Sequence, residues 1–108
     1  MAESLANPAL VVLDFEKFAR AAHAHHVPLI VDNTFPTPIN CNPFEWGVDI
    51  VTHSTTKYMD GHAMALGGAI VDSGNFDWSA SVSYTHLRKG KIGKQRVAVK
   101  GFCQMLDG

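Results

Sequence analysis

Lys57 follows directly on Ser54-x-Thr56, at the point where the apolar stretch Val48 to Val51 gives way to polar residues. An amine at the end of a buried strand is desolvated, which lowers its pKa and makes it a nucleophile toward an aldehyde. Residues i and i+2 of an extended chain point the same way, so the hydroxyls of Ser54 and Thr56 could reach one phosphate beside that lysine. A second apolar run, Val27 to Val31, ends in Asp32. Alone, Asp32 would read as a loop cap. Paired with Ser54-x-Thr56-Lys57, it offers a carboxylate to a cationic ring.

This is the set of groups that pyridoxal phosphate asks of its protein. A lysine holds the aldehyde, and a carboxylate keeps the pyridine nitrogen protonated so that the ring accepts electrons. Hydroxyls or main-chain amides bind the phosphate. Lys57, Asp32 and the pair Ser54 and Thr56 supply all three functions.

The surrounding sequence must bring these residues together. Asn7-Pro8 marks a turn, and Ala9 to Leu13 reads as a short strand or as a loop entering a helix. Asp14 is placed to cap the segment behind it, where Phe15, Phe18, Ala19 and Ala22 recur at helical spacing. Val27 to Asp32 then reads as a strand buried on both faces, with Pro28 tolerated near its start. Pro36, Pro38 and Asn40 make a loop. Asn42, Pro43 and Gly47 frame one helical turn as cap, first residue and stop. Strands are expected from about Val48 to Ser54 and from Gly68 to Asp72. The class is therefore α/β, and in a parallel arrangement Asp32 and Ser54 to Lys57 lie at the same edge of the sheet.

Two longer stretches carry a resemblance. Val31-Asp32-Asn33-Thr34-Phe35-x-Thr37-Pro38, and Gly47-x-Asp49-Ile50-Val51-x-His53-Ser54-x-Thr56-Lys57-Tyr58-x-x-Gly61-His62, are similar to the transsulfuration (Cys/Met metabolism) family of pyridoxal phosphate enzymes. So is the interval of 25 residues from Asp32 to Lys57. Within that family, Glu45-Trp46-Gly47 and Gly67-Gly68-x-Ile70-Val71-Asp72 most resemble the O-acetylhomoserine sulfhydrylases. The resemblance implies part of the large cofactor domain of the aspartate-aminotransferase-like (fold type I) class, with a mostly parallel sheet and flanking helices. It implies γ-replacement on O-acetylhomoserine by sulfide or methanethiol, in a parent enzyme that is a homo-oligomer resembling a tetramer. A γ-lyase or cystathionine γ-synthase is the alternative. Lys57 would be the Schiff-base lysine, Asp32 the pyridinium partner, and Ser54 and Thr56 the phosphate ligands. Asn7, in Glu3-Ser4-x-x-Asn7-Pro8, would lie beside the ring. His53 and His62 are typical of the family and read as structural.

Composition narrows the alternatives. With 46% apolar and 18% charged residues over 108 positions, the chain is of the soluble globular type and long enough for one small domain. No apolar run approaches the ~20 residues of a membrane span. The N-terminus lacks the pattern of a signal peptide, which with two unpatterned cysteines implies a cytoplasmic setting. His23, His25 and His26 do not converge on one ion at helical spacing, and they suit a helix C-terminus. Residues 1–78 hold Lys17, Arg20 and Lys57 against nine acidic residues, whereas 79–108 hold six basic residues against Asp107. That shift marks an expected boundary near Trp78. Beyond it the sequence departs from the family pattern and reads as a foreign or poorly ordered tail. A basic arm for nucleic acid is the alternative, without aromatic interleaving to support it. The upstream phosphate loop, the ring-stacking tyrosine and the substrate arginine of the family have no counterpart in these residues. A non-catalytic fragment of the parent enzyme is thus expected.

Overall fold

The computed structural model describes residues 1–78 and, of the remainder, the strand Arg96–Lys100. The expectation of a disordered or foreign tail otherwise falls outside the described residues. Five strands form one sheet in chain order: β1 (Ala2–Glu3), β2 (Ile30–Asp32), β3 (Ile50–Ser54), β4 (Gly68–Asp72) and β5 (Arg96–Lys100). The pairs β1–β2 and β2–β3 are parallel, and β3–β4 and β4–β5 are antiparallel. The parallel half is where the site residues sit. Each parallel step needs a crossover, and the helix α1 (Phe15–Ala24) provides the one between β1 and β2. Between β3 and β4 the chain makes only a short helical turn before folding back, so that pair runs antiparallel.

Helix α1 begins where the sequence indicates. The Asp14 carboxylate accepts the Lys17 amide at 3.0 Å, satisfying one of the donors left free at a helix start. Phe15 and Ala19 are buried with Leu29, Val31, Val48 and Val51, and Leu13, Ala22, Cys41 and Phe44 pack around them. Phe18, which shares the helical spacing, stays 47% exposed at the edge of that face. Ala9 to Leu13 form a loop rather than a strand, with Val12 making a single bridge to Leu5. The short helix α2 (Thr37–Asn40) and a 3₁₀ turn, Pro43–Trp46, connect β2 to β3. Gly47 ends that turn at φ 86°, a left-handed conformation suited to glycine. Phe15 stacks on Trp46 at 5.5 Å and so ties α1 to this connection.

Register sorts the sheet into two faces. Val31, Val51 and Val71 are aligned across β2, β3 and β4, and Val31 and Val51 belong to the cluster packed on α1. Asp32, Thr52 and Ile70 form the adjacent row, whose side chains point the other way. Ile70 there is 54% exposed, so the second face is the open one. Among the described residues no helix is long and apolar enough to cross a membrane.

Candidate functional site

The parallel pairing of β2 and β3 puts Asp32 and Ser54 at one edge of the sheet. Asp32 Oδ1 accepts the Thr34 amide at 2.9 Å and the Thr34 hydroxyl at 2.6 Å. The first contact is an Asx turn, which lets the chain leave β2 while fixing the carboxylate. The second is a short, charge-assisted bond. The same Thr34 oxygen accepts the Ser54 amide at 2.8 Å. One hydroxyl therefore joins the carboxylate at the end of β2 to the main chain at the end of β3. Asp32 Oδ2 has no hydrogen bond among the described residues and is the oxygen left open.

Asp32 is also held from the β1 side. The Ser4 amide and hydroxyl both donate to the Asp32 carbonyl, at 2.9 and 3.0 Å. Asn7 follows in the turn after β1, before a cis bond to Pro8. Its amide donates to Glu3 Oε2 at 3.3 Å, its side chain is exposed, and no hydrogen bond among the described residues joins that side chain to Asp32, Ser54 or Lys57.

After Ser54 the chain coils into a short kinked π-helical turn, Thr55–Met59. The alternation expected to aim Ser54 and Thr56 together therefore stops at Ser54, and the extended-chain argument does not hold for Thr56. Its hydroxyl instead accepts the Gly67 amide at 2.9 Å and donates to the Gly67 carbonyl at 3.3 Å. Lys57 stands at the kink, with φ −83° and ψ −117°. The expectation of a buried amine is not met by these residues: Lys57 is exposed, because nothing in residues 1–78 covers that side of the sheet edge. It lines an open cleft of about 490 Å³ with Phe35, Tyr58, Gly61, His62 and Ala63. Phe35 and Tyr58 approach to 5.9 Å at a tilt of 59° and border the cleft with apolar surface.

Buried polar atoms mark the same edge. Asn33 is fully buried, and its amide nitrogen donates to the carbonyls of Thr37 and Cys41 at 3.2 and 2.9 Å, which shapes the loop after β2. Asn33 Oδ1, Thr52 Oγ1 and His53 Nδ1 are buried without a partner among the described residues. Burial pushes the His53 pKa below its ordinary value, against the opposing pull of the Asn33 main chain and the Asp32 carboxylate. Cys41 is shifted the other way, since burial and then Glu45 raise its thiol pKa. That makes it a poor nucleophile.

A further cleft of about 450 Å³ lies at the opposite end of the sheet, lined by His23, His26, Asp49, Asn75, Phe76 and Asp77 among others. There His23 Nε2 meets Asp49 Oδ2 at 2.8 Å, and the same oxygen accepts the Leu29 amide at 2.7 Å. Among the described residues no group of His, Cys, Asp and Glu is placed to hold a metal ion. Of the two clefts, that at Lys57 holds an amine and lies on the chain that leaves β3 beyond Ser54, whose amide is tied through Thr34 to Asp32.

Sequence reasoning named Asp32, Ser54 and Lys57 and missed Thr34, which links the first two. Its signal was available: Asp-x-Thr directly after a buried strand is the spacing of an Asx turn. Gly67, which holds Thr56, was visible only as part of a glycine break.

The fit to pyridoxal phosphate rests on these observations: a carboxylate fixed by one oxygen with the other open, and an amine in a cleft bordered by two rings, with Ser54 and Thr56 on the chain that leads to it. Residues 1–100 match the model of the family described as Cys/Met metabolism PLP-dependent enzyme. The homocysteine/cysteine synthase of Kluyveromyces lactis is 51% identical over 77 residues, covering 70% of this chain and 17% of that protein. The O-acetyl-L-homoserine sulfhydrylase of Leptospira meyeri is 47% identical over 77 residues, covering 71% and 17%. Among solved structures, a Campylobacter jejuni protein assigned as an O-acetylhomoserine (thiol)-lyase, which contains a pyridoxyl-lysine monophosphate, superposes with a TM-score of 0.64. It is 43% identical and covers 66% of this chain and 18% of its own. Cystathionine γ-lyase of Lactobacillus plantarum gives a TM-score of 0.62 at 41% identity, covering 65% and 18%. The chain thus spans under a fifth of the length of these relatives.

Proposed function

The chain belongs to the Cys/Met metabolism PLP-dependent enzyme family, and from that premise we propose that it is the lysine-bearing portion of an O-acetylhomoserine sulfhydrylase. The reaction is γ-replacement: sulfide or methanethiol displaces acetate from Cγ and gives homocysteine or methionine. The observation that carries the reading is the Thr34 hydroxyl, which sets Asp32 against the end of the strand that leads into Lys57. Relatives named for this activity supply the substrate class.

Each side chain has a stated task. Lys57 Nζ would hold the cofactor aldehyde, and as a free amine it would move protons between Cα and Cβ of the substrate. Asp32 Oδ2 would accept the ring N–H⁺, and Thr34 keeps that carboxylate from turning away. Ser54 and Thr56 would offer their hydroxyls to the phosphate. Asn7, in the turn that follows the strand paired with Asp32, would border the ring. Phe35 and Tyr58 border the lysine side with apolar surface. Pyridoxal phosphate, when bound there, supplies the electron sink that stabilises carbanions at the substrate. Residues 1–78 form the cofactor side of the site. The likeness to cystathionine γ-lyase favours a second reading, γ-elimination on the same scaffold.

A borohydride trap tests the site. The protein is incubated with pyridoxal phosphate, reduced and digested, and the modified lysine is located by mass spectrometry. Label concentrated at Lys57, and weakened by Asp32→Ala, is the expected outcome. Label spread over Lys89, Lys91 and Lys94 as readily as Lys57 would overturn it. For the whole enzyme, sulfide-dependent homocysteine formation from O-acetylhomoserine supports replacement. Release of a 2-oxo acid without sulfide supports elimination.

A further inference from the structure

We propose that Gly67 is a positioning residue for cofactor phosphate: its main chain holds the Thr56 hydroxyl so that the hydroxyl can be turned onto the phosphate. The inference rests on the reading of Thr56 as a phosphate ligand and concerns what readies it for that role. Gly67 is bound to the start of the helical turn by three hydrogen bonds. Its amide donates to Thr56 Oγ1 at 2.9 Å, and its carbonyl accepts from the Thr55 amide at 3.0 Å and from the Thr56 hydroxyl at 3.3 Å. The bond that uses the Thr56 proton is the longest of the three, and the Gly67 carbonyl keeps the Thr55 amide if that proton leaves.

A hydroxyl has one proton to donate and can accept at the same time. Rotation of the Thr56 O–H from the Gly67 carbonyl to a phosphate oxygen therefore moves no main-chain atom and leaves the Gly67 amide bond intact. The result is a chain, Gly67 N–H to Thr56 O–H to phosphate, in which each bond polarises the next. Phosphate binding then tightens the hold on Gly67, and by linkage the hold on Gly67 favours phosphate. With Thr55 in its present rotamer only glycine allows the approach: a Cβ at position 67 would lie 2.6 Å from Thr55 Oγ1, whereas Thr55 Cβ would be 4.0 Å away. Gly67→Ala thus pushes the segment off Thr56 through one identifiable atom, which Thr55→Ala removes.

The test compares pyridoxal phosphate with pyridoxal, which lacks the phosphate, on the whole chain. Covalent attachment to Lys57 gives the half-saturation for each, and the ratio is the preference for phosphate. Gly67→Ala is expected to lower that preference about tenfold, the scale of a single hydrogen bond to a charged group, with pyridoxal unchanged. Gly67→Ala combined with Thr55→Ala restores it. Thr56→Ser keeps the preference and Thr56→Val loses it. Amide hydrogen exchange at Gly67 gives a second readout, which holds even if Gly67→Ala does not fold. Exchange slows with pyridoxal phosphate and not with pyridoxal, and in the cofactor-free protein it is about tenfold faster in Thr56→Val. Equal weakening of both ligands by Gly67→Ala, no rescue by Thr55→Ala, or Gly67 exchange indifferent to phosphate would each overturn the proposal alone. Failure of either ligand to attach to Lys57 in the wild type would overturn the cofactor reading and the proposal with it.

Discussion

The Thr34 hydroxyl donates to Asp32 Oδ1 at 2.6 Å while its oxygen accepts the amide of Ser54 at 2.8 Å. Thr34 is itself buried, so neither bond is open to ready replacement by water. Thr34→Val keeps the shape and removes both functions, leaving the Ser54 N–H without its acceptor. A loss of about 1–3 kcal/mol in unfolding free energy is expected, because an unsatisfied buried donor costs more than the net worth of its bond. Thr34→Ser should retain most of it. Urea denaturation of the three proteins checks the stability. Lys57 attachment should also weaken in Thr34→Val and recover in Thr34→Ser.

At the other end of β3, Asp49 is 3% exposed and accepts from both Leu29 and His23. Asp49→Ala strands the buried Leu29 amide and releases α1 from the sheet edge, for an expected cost of about 2–4 kcal/mol when a charged acceptor of two bonds is lost. Asp49→Asn can still accept from Leu29 through its carbonyl oxygen and should cost less. Denaturation midpoints rank the three. A midpoint for Asp49→Ala equal to that of the wild type would show that the tie to His23 and Leu29 does not stabilise the fold.

His53 makes stability depend on pH. Burial lowers its folded-state pKa below 6.5, so as pH falls the unfolded chain takes up this proton first. Wherever the unfolded state binds more protons, stability drops with falling pH. The contribution of neutral His53 is therefore complete above its unfolded value and drains away below it. His53→Leu should show a flatter dependence between about pH 7.5 and pH 5, measured by denaturation at fixed ionic strength. Parallel curves for the two proteins would show that His53 is not the group responsible.

Much of this architecture could be read from residue types alone, and the exceptions have physical reasons. Asp14 and the spacing of Phe15, Ala19 and Ala22 located α1, because capping and periodicity are local properties. Val51 and Asp32 likewise placed the strand ends and the shared edge of the sheet. The direction of Thr56 was not legible. A chain that coils at Thr55 no longer alternates, and the short polar sequence Ser54 to Lys57 carries no sign of that change. The exposure of Lys57 was hidden for another reason: burial depends on what packs over a residue, which sequence spacing does not report. The anchoring role of Asp49 was not legible, because its partners Leu29 and His23 are 20 and 26 positions away. The antiparallel direction of β4 was equally silent, since alternation has no sense of direction along the strand.

The fixing of β3 at both ends has a consequence for how the chain finds its fold. Ile50–Ser54 is only five residues long, and a slip of one position would turn His53 and Val51 outward and carry Thr52 and Ser54 into the apolar layer. So short a strand has few rungs with which to reject that error. Asp49, bound to Leu29, and Ser54, bound to Thr34, act as stops at its two ends, and a slipped alignment breaks both at once. The error is thus penalised at two places that share no residue. Correct threading of the strand and delivery of Lys57 to the sheet edge become the same event.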